Sequence, residues 1–123
     1  MSITVYGIPN CDTVKKARGW LDGLGLDYRF HDYKKSGVAP EKLREWVDAR
    51  GWEAILNRKG QTFRKLPESD RTGLDAKKAI GLMCANTSAI KRPVVEYETG
   101  NGAGLLVGFD AQEWSTALGP ALS

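Results

Sequence analysis

The chain has 123 residues, 41% hydrophobic and 27% charged, so one domain burying about two thirds of its unfolded surface is expected, with no room for a second. No stretch approaches the roughly 18 apolar residues of a membrane span, and the start reads as a strand without a basic leader region, which points to a soluble, cytoplasmic protein with no membrane partner. A net charge of +3 with a pI near 8.9 is too mild to demand nucleic acid; one His and two distant Cys leave metal without a ligand set and favour free thiols over a disulfide.

Ile3 to Tyr6 alternates β-branched and aromatic residues as a strand does, and Gly7, Pro9 and Asn10 then break the pattern. From Val14 the period turns helical: Val14, Ala17, Leu21 and Leu24 share one face, Lys15, Lys16, Arg18 and Asp22 the other, and Gly25 supplies the stop. Asn10 is the expected N-cap, which puts Cys11 in the first helical turn, where unpaired N–H groups and the helix dipole favour negative charge. In that setting a thiol pKa falls from about 8.5 to between about 3.5 and 7.5. Lys15 acts in the same direction and Asp12 against it. The competing reading of Cys11 is a small buried hydrophobe; its place at the mouth of a strand-to-helix turn favours the reactive thiolate.

Leu26 to Tyr33 alternates again and reads as a second strand, completing a parallel βαβ unit. His31 then lies in a strand, as an ordinary half-exposed residue and not a catalytic base. Ser36-Gly37 is a turn, Pro40 opens a helix through Leu43, Trp46 and Val47, and Arg50-Gly51 closes it. Trp52 to Leu56 suggests a further short helical turn, with Trp46 and Trp52 both in the core. Residues 57–67 show no period and carry Arg58, Lys59, Arg64 and Lys65, either as a solvated loop or as a contact for an anion or thiol ligand.

Asp75 caps another helix, with Ala76, Ala79, Ile80 and Met83 as its buried stripe. Cys84 follows in its last turn, in an apolar setting that suits a structural role. Pro93 belongs at a strand start or in a cis bond. Val94 to Tyr97 and Leu105 to Val107 read as an antiparallel hairpin joined by residues 98–104. Asp110 and Glu113 form a capping box for a last helix through Trp114 and Leu118, stopped by Gly119-Pro120. Lys34/Lys35 and Lys77/Lys78 are expected on solvated faces. Basic residues that converge near Cys11 would instead suit a small anion.

This order predicts an α/β fold: a thioredoxin-like mixed four-stranded sheet, βαβ then ββα, with a helical insertion at about 38–90 inside one domain spanning 1–123. In that topology the loop before the third strand approaches the first helix, so Arg92 and Pro93 face Cys11.

Four stretches carry a family resemblance: YGIPNCDTVKKARGWL at 6–21, YRFHDYKK at 28–35, GWEAILNRKGQTFRKL at 51–66 and IKRPVV at 90–95. Together they resemble the arsenate reductase family with the thioredoxin fold, closest to its small ArsC-like, Spx-like branch of thiol reductases. The resemblance implies that Cys11 is the nucleophile and that Arg92 and Arg58 bind the anion, with Lys59 replacing Arg58 if the loop aligns one residue differently. Asn10 belongs to the same anion site, Pro93 is structural there, and Arg64 is a candidate contact for a glutathione carboxylate. It further implies glutathione as co-substrate, with no bound cofactor, and glutaredoxin as a further partner. A monomer is expected.

Two residues depart from the family pattern. Lys15 stands where arsenate reductases carry an arginine, and their third arginine falls near Gly108. A point charge replaces a bidentate fork in the first case and nothing replaces it in the second, so a disulfide suits the site better than arsenate. Val14 occupies the place of a resolving cysteine, which implies a monothiol mechanism. The resemblance leaves two alternatives: a redox-responsive regulator that binds RNA polymerase, as Spx-like proteins do, and a glutathione- or protein-binding module without turnover.

Overall fold

The structure is a computed structural model and describes residues 2–100 and 102–119. It divides into two compact units: one runs up to Tyr33 and resumes at Arg92, and the other is Lys34–Lys91.

In the first unit, β1 (Ser2–Gly7), α1 (Asp12–Gly23) and β2 (Arg29–Asp32) form the expected βαβ motif, with β1 and β2 parallel. After the second unit come β3 (Val94–Thr99), β4 (Gly102–Val107) and α8 (Ala111–Leu118). The sheet order is β2-β1-β3-β4, with β3 antiparallel to both neighbours. This is the expected mixed thioredoxin-like sheet.

Register decides which residues form the core. Val5 pairs with Val95 and Val95 with Leu106, so one sheet face presents Ile3, Val5, Val95 and Leu106 to Ala17 and Leu21 of α1 and Trp114 and Leu118 of α8. On the opposite face Tyr6 pairs with His31 and Val94. Its hydroxyl donates to Glu96 Oε1 at 2.7 Å and its ring lies 4.9 Å from that of His31. Trp114 meets Phe109 and Trp20 edge-on, at centroid distances of 4.9 and 5.9 Å, and its Nε1–H donates to the Gly108 carbonyl at 3.1 Å.

Local boundaries differ from expectation in identifiable ways. The second strand is four residues long, and does not run from Leu26 to Tyr33. Gly25, at φ 69°, and Leu26 close α1 by donating to the Asp22 and Leu21 carbonyls, which is a Schellman motif. Leu26 is therefore spent on the helix stop, and Tyr33 opens the single turn α2 (Tyr33–Ser36). The hairpin strands extend to Thr99 and Gly102, well into the expected loop, whose Asn101 lies outside the described residues. Asp110 caps α8 by accepting from Glu113 N at 3.0 Å; the stop at Pro120 also lies outside the described residues.

The second unit is mostly helical: α3 (Pro40–Arg50), α4 (Trp52–Ile55), α5 (Gln61–Arg64), α6 (Glu68–Arg71), α7 (Ala76–Ala85) and a 3-10 turn at Thr87–Ala89. Pro40 is at the start of α3, Gly51 (φ 86°) ends it, and Asp75 caps α7 by accepting from Lys78 N at 2.8 Å, as the sequence predicts. Four expectations are corrected. Trp46 is buried but Trp52 is only half-buried. Residues 57–67 are not wholly loop, because burying Phe63 winds one turn, α5. Of the α7 stripe, Ala79 and Met83 are buried while Ala76 is exposed and Ile80 half-buried, since the helix packs along a narrower line than its apolar face. Lys78 is not simply solvated: its ammonium donates to the Ser69 and Thr72 carbonyls.

Candidate thiol site at the carboxyl end of the sheet

Three chain segments converge by register alone. The last β1/β2 pair is Gly7 with Asp32, so Cys11, after β1, and Tyr33, after β2, emerge beyond the same end of the sheet. β3 runs the other way with Tyr6 against Val94, so the residues just before it, Arg92 and Pro93, arrive at that end too. In open α/β sheets, sites form outside the carboxyl ends of the parallel strands. Pro93 is buried behind a cis Arg92-Pro93 bond, and its carbonyl accepts from Gly108 N at 2.8 Å, fixing the segment that carries Arg92.

The cap of α1 is Cys11 itself, not Asn10. Cys11 is extended (φ −104°, ψ 128°) and its carbonyl accepts the first helical bond from Lys15 N at 2.9 Å. Pro9 and Asn10 complete the turn, in which Cys11 N donates to the Ile8 carbonyl at 3.3 Å, so Asn10 lies one residue too early. At the cap position a side chain faces the free amides of the next residues. The thiol makes no cap bond of strict geometry, but sulfur is large and accepts at longer range. The N–H groups of Val14 and Thr13 therefore still favour its thiolate.

Burial acts on Cys11 in the unfavourable direction and is the largest single influence. The Val14 amide, the Arg92 guanidinium by hydrogen bond and charge, and the Thr13 amide together outweigh it, and the pKa is lowered. Lys15, expected to assist, is exposed and not among the causes, and neither is Asp12. Because the folded pKa lies below the unfolded one, the thiolate stabilises the fold above the unfolded thiol's pKa. That contribution is lost as pH falls through the folded value.

Arg92 is half-buried; burial disfavours its charge, but hydrogen bonds to Tyr33 and Cys11, with their charges, more than restore it. Tyr33 is fully buried. Burial pushes its pKa up to about 12, Arg92 pulls it down in part, and the Cys11 and Asp32 charges add to the rise. At neutral pH the phenol is therefore intact and its oxygen accepts from Arg92. By alternation alone Tyr33 reads as the end of a strand, which hides it as a site residue; the signal is a tyrosine immediately following a parallel strand, at the sheet end that also holds Cys11.

The other candidates separate into two groups. Asn10 and Lys15 belong to the first unit and are exposed. Arg58, Lys59 and Arg64 belong to the second. There Arg58 holds its guanidinium 5.3 Å from the centre of the Trp52 ring, Lys59 N donates to Asn57 Oδ1 at 3.3 Å, and Arg64 ends α5. Gly108 has φ 77°, a left-handed conformation that strains any side chain whatever room is available, so the backbone itself disfavours an arginine there. Cys84 is half-buried; burial and then the Glu41 charge raise its pKa, and its thiol contacts the Val38 carbonyl at 3.9 Å. Among the described residues no cluster could hold a metal ion and no helix is long and apolar enough to cross a membrane.

The profile of the ArsC family matches residues 6–117. Among solved structures, the YffB (PA3664) protein is 49% identical with a TM-score of 0.88, over 95% of this chain and 99% of that one. An arsenate reductase (ArsC) related protein from Brucella melitensis is 50% identical with a TM-score of 0.73, over 94% and 93%. An uncharacterized protein of Haemophilus influenzae is 36% identical over 94% of this chain and 98% of its own length. The global transcriptional regulator Spx of Streptococcus mutans is 26% identical over 76% and 69%.

Proposed function

Because the chain belongs to the ArsC family, whose fold is that of arsenate-reductase-like thiol reductases, we propose that it is a monothiol, glutathione-dependent reductase acting in the cytoplasm with Cys11 as nucleophile. The observation that carries this reading is the convergence of the Val14 and Thr13 amides and Arg92 on one half-exposed thiol, whose pKa they lower. A disulfide bearing glutathione suits the site better than arsenate, since Lys15 is an exposed point charge and Gly108 offers no arginine.

The reaction balances with glutathione as the only reductant. The Cys11 thiolate attacks the glutathione sulfur of a mixed disulfide, an S–S bond forms as the old one breaks, and the other partner leaves as a thiolate that takes a proton from water. A glutathione thiolate then attacks the sulfur of the glutathione held on Cys11, releasing glutathione disulfide and returning Cys11 as thiolate. Val14, apolar and buried, cannot resolve the intermediate from within. Arg92 stabilises the thiolate before attack and is available to the leaving thiolate afterwards. The charge-assisted contact from Arg92 is expected to contribute about 1.5–3 kcal/mol to holding an anionic substrate. Glutaredoxin would serve as an alternative thiol donor.

Incubation with glutathione disulfide is expected to place one glutathione on Cys11 and none on Cys84, read by mass spectrometry of the digested protein. Modification of Cys84 in preference to Cys11 would overturn the reading. The likeness to Spx supports a second reading, a regulator that binds RNA polymerase. Val14, standing where a redox-switch pair would have its second cysteine, favours the reductase. Capture of polymerase by the purified chain would reverse that preference.

A further inference from the structure

We propose that Tyr33 is the positioning residue of this site: its buried phenolic oxygen accepts from the Arg92 guanidinium and holds it against the Cys11 sulfur. The proposal rests on the Cys11–Arg92 reading above and adds what keeps the arginine in place.

An arginine side chain loses about 2 kcal/mol of rotamer freedom when it is fixed, and one thiolate at a half-exposed position gives little to fix it with. Arg92 follows directly on the second unit's last residue, Lys91, and only Pro93 separates it from β3. Its backbone is held by Pro93, but its side chain still has to choose a direction. Tyr33 determines that direction. The Gly7–Asp32 register puts Tyr33 one residue beyond β2, level with the start of the turn that carries Cys11. The helical turn α2 begins at Tyr33, and the ring is wholly withdrawn from solvent. Arg92 hydrogen bonds to both Tyr33 and Cys11. A guanidinium is a planar fork with five N–H donors and serves two acceptors at once, which an ammonium on a flexible stem does less well. Tyr33 also feels the Cys11 charge directly, as expected of a ring adjacent to the same guanidinium. In a buried setting a neutral phenol is the suitable acceptor. A carboxylate there would neutralise Arg92 and cancel its effect on the thiol, whereas the phenol orients the arginine and leaves its charge for Cys11.

The test is the pH profile of Cys11 alkylation by iodoacetamide in four proteins, all carrying Cys84→Ser: otherwise unaltered, Tyr33→Phe, Arg92→Gln and the double variant. Tyr33→Phe keeps the ring and removes only the oxygen. It is expected to move the midpoint upward and slow alkylation at pH 7 about fivefold, the size of one ordinary hydrogen bond. Arg92→Gln is expected to slow it more, and the double variant no more than Arg92→Gln alone, because both changes act through one arginine. An unmoved profile in Tyr33→Phe, or effects that add in full, overturns the proposal while leaving the Cys11–Arg92 reading intact. An unmoved profile in Arg92→Gln removes the reading beneath it and the proposal together. Should Tyr33→Phe not fold, the unaltered chain still decides: NMR of the Arg92 guanidinium is expected to show hindered rotation, and free rotation would contradict the proposal.

Discussion

Replacement of Cys11 by serine is expected to remove glutathione-dependent disulfide turnover almost completely, by a factor on the order of 10³ or more, while the chain still folds. A serine hydroxyl is a far poorer nucleophile than a thiolate. The groups that lower the Cys11 pKa, the Val14 and Thr13 amides and Arg92, cannot ionise an alcohol. Steady-state assay of the variant with a glutathione-bearing disulfide measures this, and Cys84→Ser is the matched control, since burial raises the Cys84 pKa and its thiol contacts the Val38 carbonyl. Substantial turnover by Cys11→Ser would transfer the chemistry elsewhere.

The largest expected loss of stability follows from Trp114→Ala. Trp114 is fully buried, stands edge-on to Phe109 and Trp20, and bonds the Gly108 carbonyl through its indole N–H. Removing it costs about 3–5 kcal/mol in lost transfer and cavity terms, and the Gly108 carbonyl loses its donor. A lower urea midpoint measures the loss. Trp114→Phe, which keeps most of the ring, is expected to cost visibly less. The effect reaches the thiol site because Gly108 N holds the Pro93 carbonyl next to Arg92. A loss below about 1 kcal/mol would show that α8 does not close this core.

The parts legible in the sequence are those set by local pattern. The alternation of Ile3–Tyr6, the period of Val14, Ala17 and Leu21, the Gly25 stop, Pro40 at a helix start and Asp75 and Asp110 as caps all correspond to what folds, whereas Leu24, expected on the same face of α1, is its C-cap and is exposed. Pairing is less legible. A period-two run from Leu26 to Tyr33 is ambiguous until one knows that Leu26 N–H is committed to the Leu21 carbonyl and that Tyr33 turns away into α2. The same limit hid the Tyr33–Arg92–Cys11 grouping, since residues 11, 33 and 92 meet only through two strand registers. Arg92 is legible because the βαβ-then-ββα order brings the segment before the third strand to the first helix. Asparagine is a strong capping residue by propensity, so the local pattern alone puts the cap one residue early. The turn through Ile8 and Pro9 puts Cys11 in that position instead.

The most direct measurement is the rate of Cys11 alkylation against pH, with Cys84→Ser present so that a single thiol reports, compared with the same protein carrying Arg92→Gln. The midpoint is expected below the ordinary thiol value of about 8.5, and it is expected to rise when the guanidinium is removed. A midpoint at or above about 8.5 that Arg92→Gln leaves unmoved would contradict this.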